Sequence, residues 1–263
     1  MSSNEFSAVP NLPKRIYSVW YRHIRVYSAN FFSNIFPPFL EPLIMLMALG
    51  VGLGTYLNGF EGVSYIAFLA SALPVTTAMY SASYECTFGT FIRLEFDRVY
   101  DGMLGAPIST TDLMLGEIIF AGTKGLFFSG AVLLVSWITG IITYPLSILT
   151  LFVGFLCGIM FGCFSIYITS FVHNINHFNF YFTGFLSPMF FFSGVVFPLD
   201  RMPAAIGILA ELLPLTHAAR LSRAFCLPGI INGEIVKDLL YIIIFIVIFG
   251  TVAIRRIRKR LIL

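Results

Sequence analysis

Charge is what this sequence lacks. Only 11% of its 263 residues are Asp, Glu, Lys or Arg, where a soluble domain carries about a quarter. Hydrophobic residues make up 58% of the chain and the mean hydropathy is +0.88. No soluble fold hides that much apolar side chain, so lipid is the expected solvent. Cysteine is scarce as well. Cys86, Cys157, Cys163 and Cys226 show no CxxC spacing, and three of them fall inside apolar runs, which argues against a disulfide framework or a structural zinc. A GxxxxGK[ST] phosphate loop, an HExxH, a GxSxG and a carboxylate pair deep in an apolar run are all missing, so no catalytic role, metal or cofactor is expected of this chain. Residues 1–13 are polar and proline-broken, which predicts no cleaved leader and a first span that doubles as the targeting signal.

What is present is a series of long apolar runs. Their lengths predict an all-α integral membrane protein with six transmembrane helices. Span one lies at about 33–57, with Gly50, Gly52 and Gly54 for close helix approach. Span two lies between Glu61 and Glu85, with Pro74 as an expected kink, and span three at about 113–138. None of Asp, Glu, Lys or Arg occurs from Gly125 to Val172, and Gly154, Gly158 and Gly162 mark a packing stripe on span four. Span five, 178–199, is crowded with aromatics, among them Phe182, Phe185 and Phe192, which read as packing or as the lining of a passage. Span six lies at about 237–254.

Between the spans stand three unusual segments. Residues 14–30 are basic and aromatic, with Ile16, Val19, Trp20, Ile24 and Tyr27 near one helical face. That pattern predicts an amphipathic helix at the membrane surface and not a nucleic-acid contact. The polar block from Glu95 to Glu117 cannot cross hydrocarbon, because each charge would have to be desolvated. It predicts a short amphipathic helix that breaks at Gly105-Ala106-Pro107, then a second helix capped by Ser109 or Thr110 with Asp112 in its first turn. Met202 to Leu213 is too apolar for a solvated loop and too short to span, Pro214 reverses the chain, and His217, Arg220 and Arg223 follow at spacings of three. That combination predicts a re-entrant hairpin over about 198–230. Its basic residues either answer Glu211 and Asp200, or contact lipid phosphates, or line an exit.

Two further groupings carry weak chemistry. Glu117 and Lys124 lie seven apart on one face of span three and reach each other only by snorkelling, the alternatives being headgroups, a water-filled groove or a proton relay. His173 and His177 stand four apart in a loop with no carboxylate or thiol nearby, a plain turn or at most a nominal metal pair. Orientation follows from the basic residues. With the N-terminus inside, Lys14, Arg15, Arg22, Arg25, Arg93, Arg98 and the five of the terminal RRIRKR put eleven on the cytoplasmic side, against four at Arg201, Arg220, Arg223 and Lys237. Both termini are therefore expected in the cytoplasm.

Three stretches, LASALPVTTAMYSASYECTFGTFIRLEFDRVYDGMLGAPISTTDLMLGEIIFAGTKG, FLSPMFFFSGVVFPLDRMP and LLPLTHAARLSR, occur in that order. Together they resemble the permease subunit of ABC-2 type exporters, in particular the nodulation-protein-J branch associated with lipo-chitooligosaccharide export. The resemblance covers about residues 15–255. It implies a homodimer in the bacterial inner membrane with two cytoplasmic ABC ATPase subunits, which would bind the ATP and magnesium. It also implies a tail and interface helix over 1–32, a transmembrane domain over 33–254 and a basic tail over 255–263. The coupling helix, about 94–104, would then seat Glu95, Phe96, Asp97, Arg98, Tyr100, Asp101, Met103 and Leu104 against the ATPase. Phe182, Phe185, Phe192, His217, Arg220 and Arg223 become candidates for the passage or exit of an amphipathic substrate. A lipid-linked sugar, another amphipathic glycoconjugate and a drug-like solute remain open, as does a non-transporting scaffold. A membrane-embedded acyl or glycosyl transferase would need a better intramembrane pair than His173 and His177.

Overall fold

The computed structural model describes residues 10–29, 39–40, 43–56, 62–229 and 234–262. The chain folds into α1 (Leu12–Ala29), α2 (Tyr65–Phe96), α3 (Val99–Leu104), α4 (Thr110–Ile138), α5 (Pro145–Thr169), α6 (residues 178–192), α7 (Ala204–Ala210), α8 (Pro214–Cys226) and α9 (Ile235–Ile262), with a further helical stretch over residues 43–54. Four helices, α2, α4, α5 and α9, are long and apolar enough to cross a membrane, and α7 with α8 forms a pair bent by 88° that would make a fifth. The expected span one falls partly outside the described residues. The expected span five is helical over only 178–192 and includes a π turn at Phe182–Leu186, which makes it shorter than the roughly 17–25 residues a straight crossing needs.

Packing of α4 against α5 explains the glycine intervals. A Cβ added at Gly125 would sit 2.5 Å from the Gly154 carbonyl oxygen, and one at Gly158 would sit 2.6 Å from that of Ala121. With no side chains between them the two backbones touch, and dispersion contacts replace the hydrophobic drive that lipid cannot supply. α2 fills the remaining side of this pair: Ser129 donates to the Pro74 carbonyl at 2.7 Å, and Cys157 to that of Val75 at 3.3 Å. Pro74 is accommodated inside α2 without ending it. Gly50 packs on its own chain, since a Cβ there would meet the Ile66 side chain at 2.8 Å. α9 rests on α5 but leaves Leu240, Ile243, Ile244, Val247 and Ile248 exposed, the surface a lipid-facing helix presents.

α2 runs eleven residues past Glu85, where the apolar pattern stops. It does so through two π turns, Glu85–Gly89 and Ile92–Phe96. π turns leave backbone groups to be satisfied otherwise, and Thr169 answers one by donating to the Cys86 carbonyl at 2.8 Å. The helix ends at Arg98, whose φ of +47° is the left-handed conformation that residues with a Cβ avoid. α3 follows at once. Of the two expected caps, Ser109 is the one used, and it caps α4 in a reciprocal capping box with Asp112.

Candidate functional site

At the α3 end of the bundle, charges from four elements meet in the interior. Glu117 of α4 is 1% exposed and is the centre. Its carboxylate accepts from Tyr100 of α3 at 2.5 Å, from Arg93 of α2 at 2.8 Å and from Thr90 at 2.9 Å, and it lies 3.1 Å from His23 Nε2 of α1. Arg93 also donates to Glu85 at 2.7 Å, and Lys124 donates to the other Glu85 oxygen at 3.0 Å. Glu85, Gly89 and Arg93 follow one another by fours along α2. Gly89 makes the pair possible, because a Cβ there would stand 3.0 Å from Glu85 Oε1 and 3.2 Å from Arg93 Nη1. Two carboxylates face two basic side chains, which is the condition for keeping them out of water. Burial, and next the Glu117 carboxylate beside it, push the Tyr100 phenol well above its ordinary range. Tyr100 therefore stays protonated and its hydroxyl donates a hydrogen bond to Glu117.

α1 is clamped to the same cluster. Arg15 pairs with Asp112 at 3.2 Å, Trp20 Nε1 donates to Thr123 at 2.9 Å, and Gly116 leaves the room that Val19 fills. The face formed by Ile16, Val19, Trp20, Ile24 and Tyr27 is the covered one, as its spacing predicts. At the end of α9, Arg260 donates to Glu95 and to the Thr169 carbonyl, at 2.7 and 2.6 Å. α3 is thus a short lever whose one buried ring touches the carboxylate that ties together α1, α2 and α4.

The hairpin end lies toward the other end of α2: from Phe68, which it touches, to Glu85 of the cluster is about 26 Å at the helical rise. There α7 and α8 turn at Glu211-Leu212-Leu213. His217 of α8 meets Asp238 of α9 at 2.7 Å and stacks on Tyr241 at 3.8 Å. Arg220 binds Glu234 at 2.7 Å, Asp238 at 3.2 Å, and Glu211. Arg223 donates to the Gly194 carbonyl at 2.9 Å, with its guanidinium 3.9 Å over the Phe68 ring.

With both ends described, the comparisons with known proteins can be set beside them. The profile of the ABC-2 type transporter family matches residues 14–227. The chain belongs to that family. It is 33% identical to nodulation protein J of Sinorhizobium fredii over 82% of this chain and 83% of that one. It is 31% identical to nodulation protein J of Rhizobium leguminosarum bv. viciae, over 93% and 94%. With the inner membrane transport permease YadH of Escherichia coli it shares 22% identity over 88% and 90%. This chain is accordingly the permease of a transporter, a multi-pass membrane component and not itself a catalyst.

Against this permease architecture the sequence-predicted residues divide. Glu95 and Phe96 end α2, and Glu95 is engaged by Arg260. Asp97, Arg98 and Asp101 are exposed, Met103 and Leu104 half-buried, and Tyr100 faces inward. Phe182, Phe185 and Phe192 do not share a surface. Phe182 stacks on Tyr84 at 4.2 Å, Phe185 packs on Phe164 at 5.2 Å, and Phe192 is exposed. His217 is buried against α9, whereas Arg220 and Arg223 border a cavity. Glu117 and Lys124 do not pair with each other. Each finds a partner on α2, because two turns of one helix are longer than either side chain needs once a neighbouring helix supplies an opposite charge. The residues sequence reasoning passed over are His23, Glu85, Thr90 and Arg93. Their signal was available, since isolated charges beside apolar spans must find each other in the interior.

Proposed function

We propose that this permease is the membrane-spanning subunit of an ATP-driven exporter that moves an amphipathic glycoconjugate, lipooligosaccharide-like in plan, outward across the bacterial inner membrane. Two copies form a homodimer, each crossing the membrane six times with both termini in the cytoplasm, and each carries one ATPase subunit at α3. The membrane topology rests on the bias of Lys and Arg toward the α3 end. The nature of the substrate rests on similarity to nodulation proteins J. ATP and magnesium belong to the partner, and this chain's part is mechanical.

The observation that carries the reading is the contact between Tyr100 and Glu117. An exposed, charged connector that does nothing but turn the chain has no need to send its one aromatic ring into a buried ion cluster. With that ring in place, displacement of Asp97–Leu104 by a closing ATPase dimer pulls on the carboxylate shared by three other helices. Interior packing transmits such a pull as a switch between arrangements and not as a gradual deformation. Arg98, held at positive φ between α2 and α3, is where the backbone turns.

Charge reversal at Asp97 and Asp101, which are exposed and engaged by no internal partner among the described residues, tests the docking. Loss of ATPase co-purification with unchanged folded yield is the expected outcome. Retained co-purification and retained stimulation of hydrolysis in both variants would remove α3 from the interface. A scaffold without a transport path would bind the ATPase but leave its hydrolysis insensitive to any amphiphile.

A further inference from the structure

The hairpin end holds a cavity of about 610 Å³ that the coupling account does not use. It lies within one subunit, between the first turn of α2 (Phe68), the turn after α6 (Ser193, Gly194, Leu199) and the inner side of α8. That volume is within the roughly 300–1,000 Å³ typical of small-molecule sites. Two of its lining side chains are anomalous. The hydroxyls of Ser193 and Thr216 are buried, at 1% and 2% exposure, and neither has a hydrogen-bond partner among the described residues. A buried hydroxyl without a partner destabilises the fold, because the hydrogen bonds it made to water are lost and not replaced. The neighbouring polar residues Ser222 and His217 are both satisfied.

The charges around the cavity decide what would fit. Arg201, Arg220 and Arg223 border it, and so do Asp200, Glu211 and Glu234. Three positive and three negative groups cancel, and Arg220 is already divided among Glu211, Glu234 and Asp238. A phosphate or carboxylate would find no net field here and would sit beside acidic oxygens. A neutral ligand with many hydroxyls finds the reverse, because carboxylates accept from it and guanidinium and hydroxyl groups donate to it. The lining is also about half apolar, with Val63, Phe68, Leu199 and Leu227, which suits the C–H faces of a sugar ring.

We infer that this cavity is a binding site for a neutral, polyhydroxylated headgroup, with Ser193 and Thr216 as its specificity-determining hydroxyls. The inference deepens the export reading and takes its physiological meaning from it, giving the departing headgroup a holding place within each subunit. Binding itself requires neither ATP nor a partner.

The test uses the full-length chain in lipid nanodiscs, titrated calorimetrically with cellobiose and maltose, with glucuronate, and with inorganic phosphate. The neutral disaccharides should bind, and Ser193→Ala with Thr216→Val should weaken that binding about tenfold, the loss expected for two neutral hydrogen bonds. The double variant should unfold at the same temperature or higher, because it removes two unpaired buried groups. Preferential binding of glucuronate or phosphate would overturn the inference, as would no binding of any probe or equal binding by wild type and variant. Failure of the export reading appears elsewhere, as a wild-type permease whose ATPase does not co-purify or does not respond to any amphiphile, and leaves this titration unaffected.

Discussion

The two ends of the bundle hold clusters of similar composition and very different burial. At the α3 end Glu117 and His23 are 1% and 3% exposed, and Arg93, Glu85 and Lys124 are between 13% and 15%. At the hairpin end Glu211, Glu234 and Lys237 are 40% to 59% exposed, and only His217 and Asp238 are buried. Water can replace a lost partner in the second cluster and cannot in the first. The inner cluster therefore behaves as one rigid joint and the outer as a set of adjustable contacts. This is the division expected of a molecule that receives force at one end and accommodates a ligand at the other.

The comparison breaks most severely at Arg93. Arg93→Ala leaves Glu85 and Glu117 short of their shared cation in the interior, and losing one partner of a buried pair costs about 3–5 kcal/mol. The variant should fail to accumulate as folded protein in a size-exclusion assay. Arg220→Ala should accumulate, because two of its three carboxylates reach water. If the two variants give equal yields, the contrast in burial has no mechanical meaning.

Tyr100→Phe is milder and more informative. It removes a hydrogen bond to an ionised acceptor, about 1.5–3 kcal/mol, and leaves the ring packed in the core. A thermal midpoint lowered by several degrees, with ATPase still bound but no longer stimulated by substrate, is the expected result. Stimulation equal to wild type would assign Tyr100 a purely structural role. At the other end, Asp238→Asn weakens contacts to His217 and Arg220 at a buried position and should cost about 1–3 kcal/mol. Lys237→Ala lies at the bottom of the scale. Its contact to Glu211 spans 3.5 Å at the surface, and exposed pairs contribute about 0–1 kcal/mol. A shift in its unfolding midpoint as large as that of Asp238→Asn would show the outer cluster to be stiffer than its exposure implies.

Local signals in the sequence were read well. Ser109 and Thr110 announce the start of α4 with Asp112 in its first turn, and the intervals between Gly154, Gly158 and Gly162 announce a seam that α4 fills. Pro214 marks the bend of the hairpin. Pairings across helices were not legible in the same way. His23 and Glu117 are 94 positions apart, and no periodicity connects them. The amphipathic face containing Tyr100 was visible, but a helical repeat gives a face and not its direction. A surface for a partner and a face turned into the protein's own core have the same spacing. Here Tyr100 is claimed internally, whereas Phe96, Asp97, Arg98 and Asp101 remain outward. Likewise Gly50 has the spacing of an inter-subunit contact and is used against Ile66 of its own chain.

In the proposed complex the α3 end meets the ATPase and the hairpin end does not. A photo-reactive amino acid placed at Asp101 or at Ile208, both exposed, tests this in native membranes. A covalent adduct between permease and ATPase from position 101, and none from position 208, is the predicted result. An adduct from position 208, or none from position 101 while the two proteins still co-purify, would contradict it.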